Sequence, residues 1–94
     1  MATVIFGDFE WDAEKASSNR TKHGVSFEEA AEAMRDTFAV DFDDITDPVN
    51  LVILAMSPRN RTLYVVTTQR GDRVRVISAR VATKHERRIY EEDS

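Results

Sequence analysis

The chain has 94 residues, no cysteine and a formal net charge of −4, and 41% of its residues are hydrophobic. The length predicts a single domain over residues 1–94 with one modest core, and the lack of cysteine excludes disulfide bonds and thiolate metal sites. No segment approaches the roughly 20 apolar residues of a membrane span, and the first residues lack the pattern of a signal peptide. The sequence therefore predicts a cytoplasmic protein.

The charges are distributed unevenly along the chain. Residues 1–50 carry 12 acidic and 4 basic side chains, whereas residues 51–94 carry 5 acidic and 9 basic ones, and ten of the 13 basic residues are arginine. The planar fork of arginine is well suited to phosphate. The C-terminal half therefore suits a polyanion and the acidic half a basic partner, although ordinary surface patterning also explains the asymmetry.

The chain opens with a predicted strand and a predicted helix. The segment from Thr3 to Phe6 predicts a short strand. Asp12 is placed as the N-cap of a helix over 13–23, and Gly24 ends that helix because glycine adopts the left-handed conformation at little cost.

This first helix is polar, since its only apolar residues are two alanines. Lys15, Asn19 and Lys22 lie four and three residues apart and form one stripe, which His23 extends. A histidine gains and loses a proton near neutral pH, so His23 is a candidate general acid or base. Two alternatives stay open: a solvated helix that docks through its alanines, and a histidine that merely caps the helix. The second histidine, His85, is interpreted as a surface residue.

Ser26 and Glu29 begin the second predicted helix as an S-x-x-E capping box. The apolar residues of this helix recur at the spacing of a core-facing helix, and they are Phe27, Ala30, Ala31, Met34 and Phe38. The acidic segment 41–47 that follows predicts a strand end and a solvated loop.

The second half predicts an antiparallel meander and a last helix. Short turns separate three strands, which cover 51–56, 62–69 and 73–80. Gly71 and Asp72 form the hairpin turn between the last two. Thr83 and Glu86 repeat the capping-box pattern ahead of an arginine-rich helix. These elements indicate an α+β fold with two N-terminal helices, an antiparallel sheet and a C-terminal helix.

Arginines recur along the last predicted strand and at the strand ends. Strict alternation places Arg75 and Arg80 on opposite faces of that strand, so one of them would face the core. An arginine in such a position needs a partner or a ligand, and a salt bridge to the acidic N-terminal half is the alternative to a functional role. Arg59, Arg61 and Arg70 cluster at strand ends, where they either reach phosphates or solubilise the turns.

Other kinds of site have no counterpart in the sequence. Two histidines without a cysteine provide no metal-ligand spacing, and no phosphate-binding loop, dinucleotide fingerprint or nucleophile elbow occurs. The sequence therefore predicts neither a metal nor another cofactor.

Two motifs together point to a known family. The first is W-D-x-x-K-x-x-x-N-x-x-K-H-G at 11–24, and the second is R-V-I-S-A-R at 75–80. With their flanking residues they occur in the order typical of the BrnT toxin family, which this sequence resembles over positions 9–92. The sequence departs from the family pattern between the motifs, at Asn50 and at Gln69 among others.

The resemblance implies a RelE-like fold and a metal-independent ribonuclease that inhibits translation. It also implies a BrnA-like antitoxin, which forms a hetero-oligomer with the toxin and alone contacts DNA, and it implies no membrane contact. The alternative is a non-catalytic module of the toxin fold that binds a protein or RNA partner, and the departures at Asn50 and Gln69 favour that interpretation.

Cleavage of RNA without a metal needs a base for the 2′-hydroxyl, cations for the charged phosphorane and an acid for the leaving oxygen. In the light of the resemblance, Lys22 and Arg80 are expected to stabilise the transition state, with Arg75 or Arg61 assisting. His23 is expected to transfer protons. The residues expected to bind the substrate are Trp11, by stacking on a base, Lys15 and Arg70.

Overall fold

The computed structural model describes residues 2–93. Within that range the strands are β1 (Thr3–Phe6), β2 (Phe9–Asp12), β3 (Val40–Asp43), β4 (Leu51–Met56), β5 (Thr62–Arg70) and β6 (Arg73–Val81). The helices are α1 (Ala13–His23), α2 (Phe27–Ala33) and α3 (Lys84–Asp93). None of these three helices is long and apolar enough to cross a membrane. The predicted α+β class is confirmed.

The strands form one mixed sheet in the order β1-β2-β6-β5-β4-β3. Neighbouring strands are antiparallel except β2 and β6, which run parallel where Phe9 and Glu10 pair with Val74 and Arg75. The predicted meander is therefore right for β4, β5 and β6, but the sheet as a whole is not antiparallel. The prediction also missed β2, which forms a hairpin with β1 along all four of its residues and pairs with the distant β6 at only two.

For the segment after α2, one prediction from the sequence is confirmed and one is wrong. The acidic segment 41–47 contributes the end of β3 and the loop that follows, as expected. Phe38 was expected to continue the apolar face of α2, and this is wrong. The helix ends at Ala33 with Met34 as its C-cap, so Phe38 lies beyond the helix and is 61% exposed.

Both faces of the sheet are covered. On one face, a core cluster forms around Trp11, Phe27 and Leu63, with further side chains from α2 and from four strands. Because side chains alternate along a strand, the fully buried Val52 and Leu54 of β4 point to the opposite face. There α3 packs against β4 and β5.

Asp36 links α3 to the sheet. Its Oδ2 accepts a hydrogen bond from the backbone N–H of Met56 at 3.0 Å and a short one from the hydroxyl of Tyr90. Burial, together with this contact to Asp36, raises the pKa of Tyr90 to about 12. The C-terminal helix is therefore held by a partly buried hydrogen bond as well as by apolar contacts.

The predicted ends of α1 are confirmed. The Oδ2 of Asp12 accepts a hydrogen bond from the backbone N–H of Lys15 at 3.0 Å, which satisfies one of the free donors of the first turn. Gly24 ends the helix with a φ of 70°, in the left-handed region that favours glycine.

The two predicted capping boxes differ. Thr83 and Glu86 form both hydrogen bonds of the motif, at 2.9 and 3.2 Å. Ser26 accepts a hydrogen bond from the backbone N–H of Glu29 at 3.0 Å, but the carboxylate of Glu29 turns to Arg61 instead of returning the bond. The S-x-x-E pattern therefore placed α2 correctly but assigned the wrong role to its glutamate.

Candidate active site

A groove of about 430 Å³ lies between α1 and the outer edge of β6. Its walls include Lys15, Lys22 and His23 from α1, and Ile77 and Ser78 from β6. The other lining residues are polar too, namely Asp12, Glu14, Ser18 and Asn19. The basic stripe predicted on the first helix thus lines a concave surface.

Asn19 holds α1 against the sheet. Its Nδ2 donates to the backbone oxygen of Ala79 at 2.8 Å and to that of Val25 at 3.0 Å, and its Oδ1 accepts from the N–H of Ala79 at 3.1 Å. The residue is only 8% exposed. A buried amide therefore takes the place of the apolar stripe that a docked helix normally presents, which explains how so polar a helix packs.

A β-bulge in β6 changes which arginines share a face. Consecutive residues of β5 pair with Val76 and Ser78, which leaves Ile77 without a partner in β5. One extra residue reverses the alternation beyond it. Arg75 and Arg80 therefore lie on the same face of the sheet, and the prediction that they occupy opposite faces is wrong.

Arg80 is held between α3 and β5. Its guanidinium donates two hydrogen bonds to the carboxylate of Glu86, at 2.8 and 2.9 Å, and lies 3.9 Å from the centroid of the Tyr64 ring. The hydrogen bond from Arg80 holds the pKa of Glu86 below its usual value. Arg80 follows Ser78 by two residues but does not line the groove. Its side chain remains 34% exposed.

Arg61 supports the end of α1. It donates to the backbone oxygen of Gly24 at 2.9 Å and to the two carboxylate oxygens of Glu29 at 2.6 and 2.8 Å. The hydrogen bond from Arg61, with a further one from Ser57, lowers the pKa of Glu29 despite its burial. Arg61 therefore fixes the residue next to His23 rather than lining the groove itself.

Arg75 and Arg70 surround a buried carboxylate. Arg75 donates a short hydrogen bond to Glu10, which is 9% exposed, and Arg70 lies 3.9 Å from the same oxygen. Arg59 approaches Glu29 at 3.9 Å. Both carboxylates belong to the acidic N-terminal half. Arg75 therefore forms the salt bridge that was the alternative to a functional role.

The prediction that Trp11 stacks on a base is not compatible with its position. The residue is 2% exposed, and its ring centroid lies 5.6 Å from that of Phe6 and 5.9 Å from that of Phe27. Trp11 sits in β2, an unpredicted strand whose pairing turns this side chain into the core. His85, in contrast, is exposed as expected.

The sequence analysis assigned no function in the site to Asn19 or Ser78, both of which line the groove. Asn19 was noted only as a member of the stripe, although an amide at the docking position of a helix is itself a signal. Ser78 gave no signal, because the bulge that brings it to the groove is invisible in the residue pattern. Across residues 2–93, no three metal-ligating side chains come together.

Comparisons with known proteins agree with the fold and with the motifs. A family profile described as "Ribonuclease toxin, BrnT, of type II toxin-antitoxin system" matches residues 11–86. Among solved structures, the chain is similar to that of the ribonuclease toxin BrnT of Brucella abortus, with a TM-score of 0.65 and 23% identity, covering 79% of this chain and 94% of that one. No curated protein matches. At this identity, the structural match supports the fold alone.

Proposed function

The chain belongs to the BrnT family of ribonuclease toxins of type II toxin-antitoxin systems, and we propose that it cleaves RNA in the groove between α1 and β6. The observation that carries this proposal is the presence of Lys15, Lys22 and His23 together with Ser78 on one concave surface. Two ammonium groups attract phosphate, and an imidazole beside them can accept and donate a proton.

In this proposal the reaction needs no metal. The 2′-oxygen of the RNA attacks the adjacent phosphorus, and the bond from phosphorus to the 5′-oxygen breaks as the new bond forms. His23 takes the proton of the 2′-hydroxyl, and the ammonium group of Lys22 stabilises the charge on the phosphorane oxygens. The leaving 5′-oxygen takes a proton from water, so the products are a cyclic 2′,3′-phosphate and a 5′-hydroxyl end.

The arginines take different roles in the proposal. Arg80 lies outside the groove and contacts a neighbouring phosphate of the RNA, because its two-pronged guanidinium suits a phosphate as well as it suits Glu86. Arg61 and Arg75 assist the reaction without touching the RNA, because each guanidinium is already paired with a buried carboxylate. Lys15, in the groove, and Arg70, outside it and with 61% of its side chain exposed, bind the RNA backbone.

Membership of the family also implies an antitoxin partner. We propose that this partner is BrnA-like and forms a hetero-oligomer with the chain. In the cytoplasm, cleavage of RNA then inhibits translation until the antitoxin binds, and contact with DNA is left to the antitoxin.

The test is cleavage of a defined RNA by the purified chain in excess EDTA, with the new 5′ ends mapped. The wild type is expected to produce 5′-hydroxyl ends, whereas Lys22→Ala and His23→Gln lower the rate about 100-fold. Lys84→Ala and His85→Gln change the same residue types at exposed positions of α3 and should cleave normally. Cleavage that EDTA abolishes, or an equal loss in these controls, contradicts the proposal.

A non-catalytic module that binds RNA or a protein is the second candidate. The observation in its favour is that Arg61, Arg75 and Arg80 are all paired with carboxylates. In that case the wild type would shift RNA in a gel without producing new 5′ ends, and Lys22→Ala would weaken binding only.

A further inference from the structure

One edge of the sheet exposes much of the large apolar surface of the described chain. Among residues 2–93 six large hydrophobic side chains are exposed, and four of them lie within residues 38–49, here called the β3 edge: Phe38, Phe42, Ile45 and Val49. β3 is the last strand in the order of the sheet, so its outer backbone groups pair with no strand of the described chain. Of the four apolar residues, Phe42 lies in β3 and the others flank it. An unpaired edge strand with exposed apolar side chains around it is a template for strand addition.

The β3 edge is also acidic. It carries Asp41, Asp43, Asp44 and Asp47, and no lysine, arginine or histidine occurs between Arg35 and Arg59. None of the ion pairs found within residues 2–93 includes these four carboxylates. The edge therefore combines apolar side chains with negative charges that no cation of the described chain offsets.

Within β3 itself, the apolar and acidic side chains lie on opposite faces. In the pairing with β4, Phe42 lies opposite Val52 on the face covered by α3, whereas Asp41 and Asp43 point to the other face. A strand added outside β3 would need apolar residues on the first face and basic residues on the second. The edge thus specifies a partner with alternating apolar and basic residues.

We propose that the β3 edge is the docking site for an extended segment of the antitoxin, which joins the sheet beside β3 with apolar and basic residues in alternation. The proposal rests on the proposed function, since the toxin assignment supplies the partner. A second copy of this chain does not fit, because pairing two β3 edges would bring the aspartates of one copy, Asp41 and Asp43, against those of the other.

This docking site is remote from the groove. β3 and β6 are separated by three strand spacings, about 14 Å. A segment bound along β3 therefore leaves Lys22 and His23 accessible. Docking at the β3 edge alone therefore leaves the groove open.

The test uses a synthetic peptide of about ten residues that alternates valine and lysine, titrated into the isotope-labelled chain. The matched peptide alternates valine and glutamate. The basic peptide is expected to shift the amide resonances of the β3 edge and to bind roughly tenfold more tightly than the acidic one. The double variant Asp41→Lys/Asp43→Lys should reverse this preference. Glu28→Lys/Asp72→Lys, with the same change of charge at exposed sites elsewhere, should keep it.

Equal binding of the two peptides, or shifts confined to residues outside the β3 edge, would overturn the docking site. A wild-type dimer that buries β3, detected by sedimentation and by its amide shifts, would do the same. RNA cleavage is measured in parallel samples without peptide, because a lysine-rich peptide itself binds RNA. Selective peptide binding without any cleavage would count against the proposed function alone, and cleavage without peptide binding against the docking site alone.

Discussion

The side-chain amide of Asn19 pairs with both backbone polar groups of Ala79, as a neighbouring strand would. Its Nδ2 donates to the carbonyl oxygen at 2.8 Å, and its Oδ1 accepts from the N–H at 3.1 Å. β2 pairs with β6 only at the start of that strand, as far as Arg75, so the rest of the edge would otherwise be free. One buried amide thus fixes the helix that carries Lys22 and His23.

Replacing this amide should destabilise the fold. Asn19→Ala leaves the N–H and the carbonyl of Ala79, and the carbonyl of Val25, without their partner, so we expect the free energy of unfolding to fall by about 2–3 kcal/mol. Urea unfolding measures the loss. Ser18→Ala removes an exposed hydroxyl from the same helix and should change stability by less than about 0.5 kcal/mol. Equal midpoints for the two variants would show that the amide does not fix α1.

Features of the fold that depend on neighbouring residues were predictable from the sequence. The N-cap at Asp12, the end of α1 at Gly24 and the hairpin between β5 and β6 each follow from a few adjacent residues. β2 was missed although its hairpin with β1 is local and turns at Gly7, which has a φ of 62°; only its two-residue pairing with β6 depends on a distant part of the chain. The bulge at Ile77 was not predictable, because a bulge is set by the register between two strands.

The site was predictable only in part. Lys22 and His23 lie on one stripe because helical spacing is regular, so their proximity follows from the sequence. The pairing of Arg80 with Glu86 does not, because it depends on where α3 returns to the sheet. Trp11 shows the converse error: its place in a family motif suggested contact with RNA, whereas its burial gives it a packing role.

Trp11 offers a second prediction, which separates packing from RNA stacking. Trp11→Ala should lower the free energy of unfolding by about 3–5 kcal/mol, because it leaves a cavity beside Phe6 and Phe27. Trp11→Phe keeps an aromatic ring and should cost less. RNA affinity, measured by fluorescence anisotropy, should be the same for Trp11→Phe and the wild type. A stable Trp11→Phe variant with weakened RNA binding would restore the stacking role.

The carboxylate of Glu29 predicts a dependence of stability on pH. Because Arg61 lowers its pKa from the usual 4.5, its contribution is complete above that value and is lost as the pH falls through the lowered pKa. Glu29→Gln should therefore cost about 3 kcal/mol at pH 7 and progressively less below about pH 4. Urea midpoints measured across this range give the difference. Glu28→Gln, at an exposed neighbouring position, should show no such convergence, and a constant cost for Glu29→Gln would contradict the assignment.

The pairing of Glu86 with Arg80 gives the last prediction. If Arg80 contacts phosphate, Glu86 competes with the RNA for the same guanidinium, so Glu86→Gln should tighten RNA binding severalfold. One more phosphate contact should also steepen the plot of log affinity against log salt by about 0.7. Because glutamine keeps an acceptor for the N–H of Thr83, the loss of stability should stay near about 1 kcal/mol. Glu92→Gln makes the same change of charge at an exposed position of α3 and should leave the slope unchanged. An unchanged slope for Glu86→Gln as well would mean that Arg80 serves only to hold α3 in place.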